Sequence, residues 1–320
     1  MSLKIENLTV YYQTLKGEVQ ALEDASFSLR DGEIMGLAGE SGCGKTTLGT
    51  SLIMLNGRMR YIRGNVQLDG QELPVWDNER MNDFRFKQVS IIPQYAMSAM
   101  NPTRKIGRMV RDLIEARHEN YGKVLPELMK RLDLVDLPQK VLGMYPIELS
   151  GGMKQRMVMV LSTLLNPSLL IADEITSALD VSTQKAVVEM LADFRDKKIV
   201  KSMIVITHDI SILSQVADSI MVMYAGQLSE KAPTDAIIHK ARHPYTKLLI
   251  SSLPKVGIKY SEEVLHGIPG KPPLLLDPPI GCRFRERCPV AFEKCSQVPP
   301  FLELDKDHFV ACWKEFENHA

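Results

Sequence analysis

Residues 31–53 read DGEIMGLAGESGCGKTTLGTSLI, and the layout this stretch requires decides the fold. Gly39, Gly44, Lys45 and Thr46 keep the spacing G-x-x-x-x-G-K-[ST] of a phosphate-binding loop. Before the loop, EIMGLAG reads as a short buried strand; after it, TTLGTSLIML reads as a helix start. That strand–loop–helix context is what the motif needs, because glycines let backbone N–H groups close around phosphate oxygens at a helix N-terminus. The cradle so predicted is Gly39, Ser41, Gly42, Cys43, Gly44, Lys45, Thr46 and Thr47. Lys45 supplies a point charge to the β- and γ-phosphates, and Thr46 offers its hydroxyl to Mg²⁺. Cys43 reads as a small space-filler, at a position where a bulky thiol reagent would block nucleotide.

The other half of such a site follows at PSLLIADEITSALD, residues 167–180. Its apolar run, Leu169 to Ala172, reads as a strand ending in two carboxylates, Asp173 and Glu174. Strand ends are where open α/β sheets bind ligands. Asp173 is expected to hold Mg²⁺, a hard cation that prefers oxygen, and Glu174 to polarise an attacking water. A surface acidic pair is the alternative, and the buried run before it argues against that. The strand KSMIVITHD brings His208 to the same edge, in either a structural role or contact with the γ-phosphate. In ELSGGMKQRMVMVLSTLL, Ser150, Gly151 and Gly152 open a long helical pattern with Lys154 and Arg156 close behind. This is an ordinary N-cap or a second anion-binding helix start. Two cradles with one carboxylate make sense if a nucleotide lies between two copies of the fold.

In this order, GESGCGKTT, IIPQ, LSGGMKQR, LLIADE, SALD and ITHD resemble the nucleotide-binding subunits of ABC transporters. The resemblance implies an α/β P-loop ABC ATPase domain with a RecA-like core, an antiparallel β subdomain and a helical subdomain. It implies a head-to-tail dimer in which Ser150, Gly151 and Gly152 close on ATP held by the partner's loop. It further implies that Gln94 contacts Mg²⁺ and water, that Asp180 lies in the dimer-crossing loop, and that His208 is the γ-phosphate switch. Tyr12 in NLTVYY matches the family's adenine-stacking aromatic, while strand alternation sends its neighbour Tyr11 to the opposite face. QYAMSAMNP, LSGGMKQR with Met153, LDVSTQ, HPYTKLLISSLP and the late IPGKPP and GCRFRERCP narrow the resemblance to dipeptide/oligopeptide importer ATPases. Ile175 departs from that pattern by replacing the proline usual after the glutamate, which removes a rigid turn element beside Glu174.

Alternating patterns over residues 1–30 and about 60–75 predict antiparallel strands, and 104–145 predicts a mostly helical, charged insertion within a helical subdomain of about 95–150. Residues 146–230 return to strand–helix alternation. Prolines become dense after Pro244, placing a boundary near 235 between an ATPase domain (1–235) and a C-terminal extension (236–320). With 39 basic and 39 acidic residues, the chain has no basic field for nucleic acid. The start MSLKIENLTVYY lacks the layout of a secretory signal, so a cytosolic protein at the membrane's inner face is expected.

Cys282, Cys288, Cys295 and Cys312 then stand out, since Cys43 is the only other cysteine. A reducing compartment favours metal binding or redox chemistry over disulfides. Gaps of five, six and sixteen residues leave a zinc ion and a wider iron–sulfur cube equally open. The resemblance favours [4Fe–4S], carried by some of the importer ATPases on this tail motif. No local signal connects the tail to the phosphate chemistry, so a structural or sensing role is expected for it. The function implied is ATP-driven peptide import with a second, related ATPase as a heterodimer, an integral membrane permease and, indirectly, an extracellular substrate-binding protein. Sugar or nickel transport is the alternative within the branch. A soluble ABC-type ATPase of repair, translation or metal-cluster assembly is the alternative outside it.

Overall fold

The computed structural model describes residues 2–94, 100–177, 180–252 and 267–317. The first described part holds β1 (Leu3–Thr14), β2 (Gly17–Leu29), β3 (Ile34–Ala38), α1 (Lys45–Ser51), β4 (Met59–Leu68), β5 (Gln71–Glu72) and β6 (Val89–Ile92). Then come α2 (Ile106–Ala116), α3 (Tyr121–Leu134), α4 (Gly151–Thr163), β7 (Leu169–Asp173), α5 (Val181–Asp196), β8 (Ser202–Ile206), α6 (Ile210–Val216) and β9 (Ser219–Tyr224). The chain closes with β10 (Gln227–Pro233), α7 (Thr234–Lys240), α8 (Pro244–Ser251), β11 (Leu302–Asp305), β12 (His308–Val310) and α9 (Trp313–Glu317).

Two sheets organise these elements. One is antiparallel, in the order β2-β1-β4-β5, from the stretches whose alternation predicts it. The other runs β11-β12-β10-β9-β3-β8-β7-β6, with its strands from β9 to β6 parallel. β3, β7, β8 and β9 are buried along their whole lengths, the pattern of parallel strands covered on both faces. Alternate residues serve different layers. Leu170, Ala172, Met203 and Val205 join the core with α2–α6, whereas Leu169, Ile171, Ile204 and Ile206 pack with α1 and the antiparallel sheet. The parallel sheet is therefore a middle layer, and the loops at its carboxyl edge are fixed from both sides.

The insertion is helical as expected, through α2 and α3; the motif residues 95–99 that introduce it, with the start of a helical subdomain at about 95, lie outside the described residues. So do Ala178 and Leu179 of SALD and the last two residues of HPYTKLLISSLP. Beyond residue 235 the described chain is loop-rich but not separate from the sheet. Its β11–β12 hairpin returns to β10, with Glu230 opposite Val310 and Lys231 opposite Phe309. Buried Glu230 fixes this return, accepting from His308 Nε2 (2.7 Å) and from the N–H groups of Arg242 (2.7 Å) and His243 (3.0 Å).

Candidate active site

The loop between β3 and α1 turns on glycines that no other residue can replace. Gly44 has φ 105°, and a Cβ there would come within 2.2 Å of the Ala21 carbonyl oxygen. Gly39 has φ 146°, and its Cβ would lie 2.3 Å from Met223 O. Ser41, Gly42 and Thr46 are exposed at the loop's mouth, while Cys43, Lys45 and Thr47 are buried. Lys45 Nζ donates to the carbonyls of Gly39 (2.8 Å) and Glu40 (3.0 Å), which holds the ammonium over the mouth of the loop. Cys43 is buried, and its backbone is fixed by the Gly226 N–H donating to Cys43 O (2.8 Å). Burial raises its thiol pKa against the opposing influence of Lys45. A thiol reagent at Cys43 would therefore react slowly, because the thiolate is the nucleophile.

The carboxylates meet this loop from β7. Thr46 Oγ1 donates to Asp173 Oδ1 (3.3 Å), so the two oxygen ligands predicted for Mg²⁺ are neighbours. Burial raises the Asp173 carboxyl above its ordinary pKa; Glu174's charge adds to this and the Thr46 hydroxyl opposes it. A hard-oxygen pair with Asp173 buried and Thr46 open at the loop's mouth suits a small divalent cation, whose charge would favour the ionised carboxylate.

Glu174 sits one residue past the strand with φ 46°, a left-handed conformation uncommon for a side-chain-bearing residue. The turn is held by main chain on both sides, Glu174 N–H to Ile206 O (2.8 Å) and Ser177 N–H to Glu174 O (3.0 Å). With Ile175 in the place of a proline, hydrogen bonds from neighbouring helices secure this segment. Buried Gln155 of α4 donates its amide to Ile175 O, and Gln184 Nε2 of α5 donates to Thr176 O (3.2 Å). The Ile175 side chain itself packs into the helical-side core.

Gln94 and His208 converge on the carboxylate so aimed. Gln94 Nε2 donates to Glu174 Oε2 (2.6 Å), and His208 Nδ1 stands 3.6 Å from Oε1. Gln94 follows β6 and His208 follows β8, the strands at the free edge and the centre of the parallel layer. Tyr12 stands at the other end of the loop, where Thr47 Oγ1 donates to its hydroxyl (3.4 Å). Tyr11 turns away and gives its hydroxyl proton to Glu23. Ser150 caps α4, its Oγ accepting from Met153 N (3.3 Å), with Gly151 and Gly152 forming the helix's first turn. Asp180 caps α5 in the same way, accepting from Thr183 N (3.0 Å).

The tail reaches this site, which sequence reasoning missed. Arg287 donates to both carboxylate oxygens of Glu40 in the phosphate loop, at 2.6 and 3.0 Å. Tyr245 Oη of α8 accepts the Glu40 N–H (2.9 Å). The tail thus touches the phosphate loop at Glu40 and not the carboxylate at Glu174, through an ion pair between residues 247 positions apart that no local pattern betrays. Gln155 and Tyr245 had more signal, since both lie inside the quoted stretches LSGGMKQR and HPYTKLL.

Cys282, Cys288, Cys295 and Cys312 line one small apolar pocket with Phe284, Val290, Phe292 and Trp313. Burial raises the thiol pKa of Cys282 to about 11, and the three other sulfurs push it the same way. At Cys282, Cys288 and Cys312 burial is the larger influence, and the backbone N–H groups of Phe284, Val290 and Glu315 oppose the rise in turn. Among the described residues no group of three or more His, Cys, Asp or Glu is drawn together tightly enough to hold a metal ion. Also among these residues, no helix is long and apolar enough to cross a membrane.

Comparison with known proteins agrees with this geometry. Residues 22–177 match the family described as "ABC transporter", and residues 229–295 match "Oligopeptide/dipeptide transporter, C-terminal region". The chain is 36% identical to the "Oligopeptide transport ATP-binding protein OppD" of Haemophilus influenzae, over 99% of this chain and 98% of that protein. It is equally 36% identical to the "Dipeptide transport ATP-binding protein DppD" of Caldanaerobacter subterraneus, over 97% of this chain and 96% of the other. The fold matches the ADP- and phosphate-bound dimeric ATP-binding cassette MJ0796 with a TM-score of 0.63, at 22% identity, covering 72% of this chain and 98% of that one. The chain belongs to the ABC transporter ATPases, in the branch that joins the ATP-binding cassette to an oligopeptide/dipeptide transporter C-terminal region.

Proposed function

We propose that the chain drives uptake of di- or oligopeptides through a membrane permease, hydrolysing ATP between itself and a second ATPase subunit. The observation that carries this reading is the meeting of Gln94 and His208 at Glu174, beside the Thr46–Asp173 pair. Tyr12 stacks on the adenine, and the loop from Gly39 to Thr47 takes the phosphates, with Lys45 turning from its own carbonyls to the β- and γ-oxygens. Thr46, Asp173 and Gln94 would hold Mg²⁺, which would neutralise charge building on the phosphates. Glu174 accepts a proton from the attacking water, and His208 contacts the γ-phosphate. Ser150, Gly151 and Gly152 serve the nucleotide of the other subunit, and Asp180 lies at the crossing between the two. On this reading residues 1–235 are the ATPase domain and 236–320 an extension, in a peripheral subunit on the cytoplasmic face of the membrane that takes no nucleic acid. Tagged chain should bring down an integral permease and a related ATPase from solubilised membranes, and its loss should abolish peptide uptake. Normal uptake without the chain would refute the assignment.

The four tail cysteines are proposed to hold a [4Fe–4S] cluster in preference to zinc. A single zinc at about 2.3 Å from each sulfur would draw four thiolates within roughly 4 Å of one another. All four cysteines line one small apolar pocket, and the resemblance of the tail motif to that of importer ATPases favours the cube. Bound iron would offset the effect of burial on Cys282 by favouring its thiolate. Protein purified without oxygen should be brown and carry about four iron atoms per chain, falling sharply in Cys288→Ser. Colourless anaerobic protein with one zinc and no iron would refute the cluster.

A further inference from the structure

We propose that Arg287 of the cysteine-bearing tail is a positioning residue of the nucleotide site, neutralising and orienting an acid built into the phosphate loop. The inference rests on the reading of Gly39–Thr47 as the cradle for the phosphates. Glu40 occupies the first variable position of that loop, and its carbonyl accepts from Lys45 Nζ (3.0 Å). Its peptide thus lies beside the cation that meets the polyanion. A bare carboxylate on this residue would repel the ligand the loop exists to hold.

Arg287 answers that charge with a two-bond fork on Glu40. Its remaining N–H groups are all spoken for. Nε donates to Pro269 O (2.7 Å), Nη1 also to Tyr224 Oη (3.1 Å), and Nη2 also to Ile268 O (3.3 Å). With five donors engaged, the guanidinium has one orientation available. The rings of Tyr224 and Phe284 pack against it, with centroids 5.6 and 6.0 Å away. The Arg287 side chain is 5% exposed, so solvent screens this pair weakly. Tyr245 holds the backbone of the same glutamate through its N–H. A second tail arginine frames the loop from its other side. Arg283 Nη2 donates to Gln20 Oε1 (2.8 Å) and Nη1 to Ala225 O, next to Ala21 and Gly226, which abut Gly44 and Cys43.

Equilibrium binding of MgATP to the full-length chain, with thermal unfolding measured alongside, tests the inference. Arg287→Ala should weaken MgATP about tenfold, the scale of losing hydrogen bonds to a charged group. Arg287→Lys should weaken it less, because lysine keeps the charge but not the fork, and it covers the case in which the alanine variant fails to fold. Adding Glu40→Gln to either variant should recover most of the lost affinity, since the uncompensated charge is then gone. A lower melting temperature with MgATP affinity unchanged would reduce Arg287 to a docking contact and overturn the inference. Weakened binding that Glu40→Gln does not recover would overturn it equally. Lys45→Ala, measured in parallel, separates the two levels: unchanged MgATP affinity in that variant would refute the phosphate loop itself.

Discussion

Glu174→Gln separates catalysis from binding at this site more cleanly than any other change. The substitution keeps the length and shape of the side chain but removes its capacity to take a proton. Its orientation should survive, because the new amide oxygen can still accept from Gln94 Nε2, now 2.6 Å from Oε2. The backbone that aims it, at φ 46° and tied to Ile206 and Ser177, does not depend on the side-chain charge. What is lost is the positioned base, typically about 10²–10⁴ in rate, or about 3–5 kcal/mol on the barrier. MgATP affinity should stay within about twofold, because Lys45, Thr46 and Asp173 are untouched and the Gln94 bond can still form. Phosphate release measured with the partner ATPase and permease present, beside equilibrium nucleotide binding, reads both quantities. Turnover above a tenth of wild type, with binding intact, would refute the role of Glu174. A parallel collapse of binding would instead place Glu174 among the phosphate-holding groups.

Two further perturbations test how the surrounding structure supports this residue. Gln155→Ala removes the amide that secures Ile175 O and should lower turnover about tenfold, since a buried carbonyl left unpaired costs about 1–3 kcal/mol; MgATP affinity should not change, and unchanged turnover would show that the turn needs no such support. Glu230→Ala should destabilise the protein by about 3 kcal/mol in denaturant unfolding by leaving His308 and two N–H groups without their buried acceptor. Burial opposes the Glu230 charge, but His308 and the Arg242 N–H hold its carboxyl below the ordinary 4.5. A lowered folded pKa contributes stability above the unfolded value that is lost as pH falls through the folded one. Wild type should therefore lose stability below about pH 4.5 through this group, and the alanine variant should lack that part of the acid response. Equal acid profiles would remove Glu230 from that role.

Much of the candidate site's geometry was legible because its signals are local. The apolar runs of β3 and β7 place Lys45 and Asp173 at one sheet edge, and Ser150 announces the start of α4 through its capping chemistry. The middle layer was legible for a similar reason, since strands buried on both faces read as unbroken apolar runs. Other features had no such local signature. The left-handed φ of Glu174 falls on a residue type that gives no conformational warning. β12 is three residues long, and its pairing to β10 is decided by Glu230, some 78 positions from His308. The Arg287–Glu40 fork is the extreme case: each residue alone reads as ordinary surface charge, and only the folded chain brings them together. The missing proline at Ile175 illustrates the reverse, a sequence departure whose rigidifying effect the structure supplies through Gln155 and Gln184.

The central claim is that this chain completes its catalytic site only with another ATPase subunit supplying the counterpart of Ser150, Gly151 and Gly152. ATP turnover per chain, measured against protein concentration and then with the partner ATPase and permease added, tests it directly. The account predicts low turnover from dilute chain, a rise with concentration, and a further rise on adding the partners. A rate independent of concentration, from protein shown to be monomeric, would contradict it.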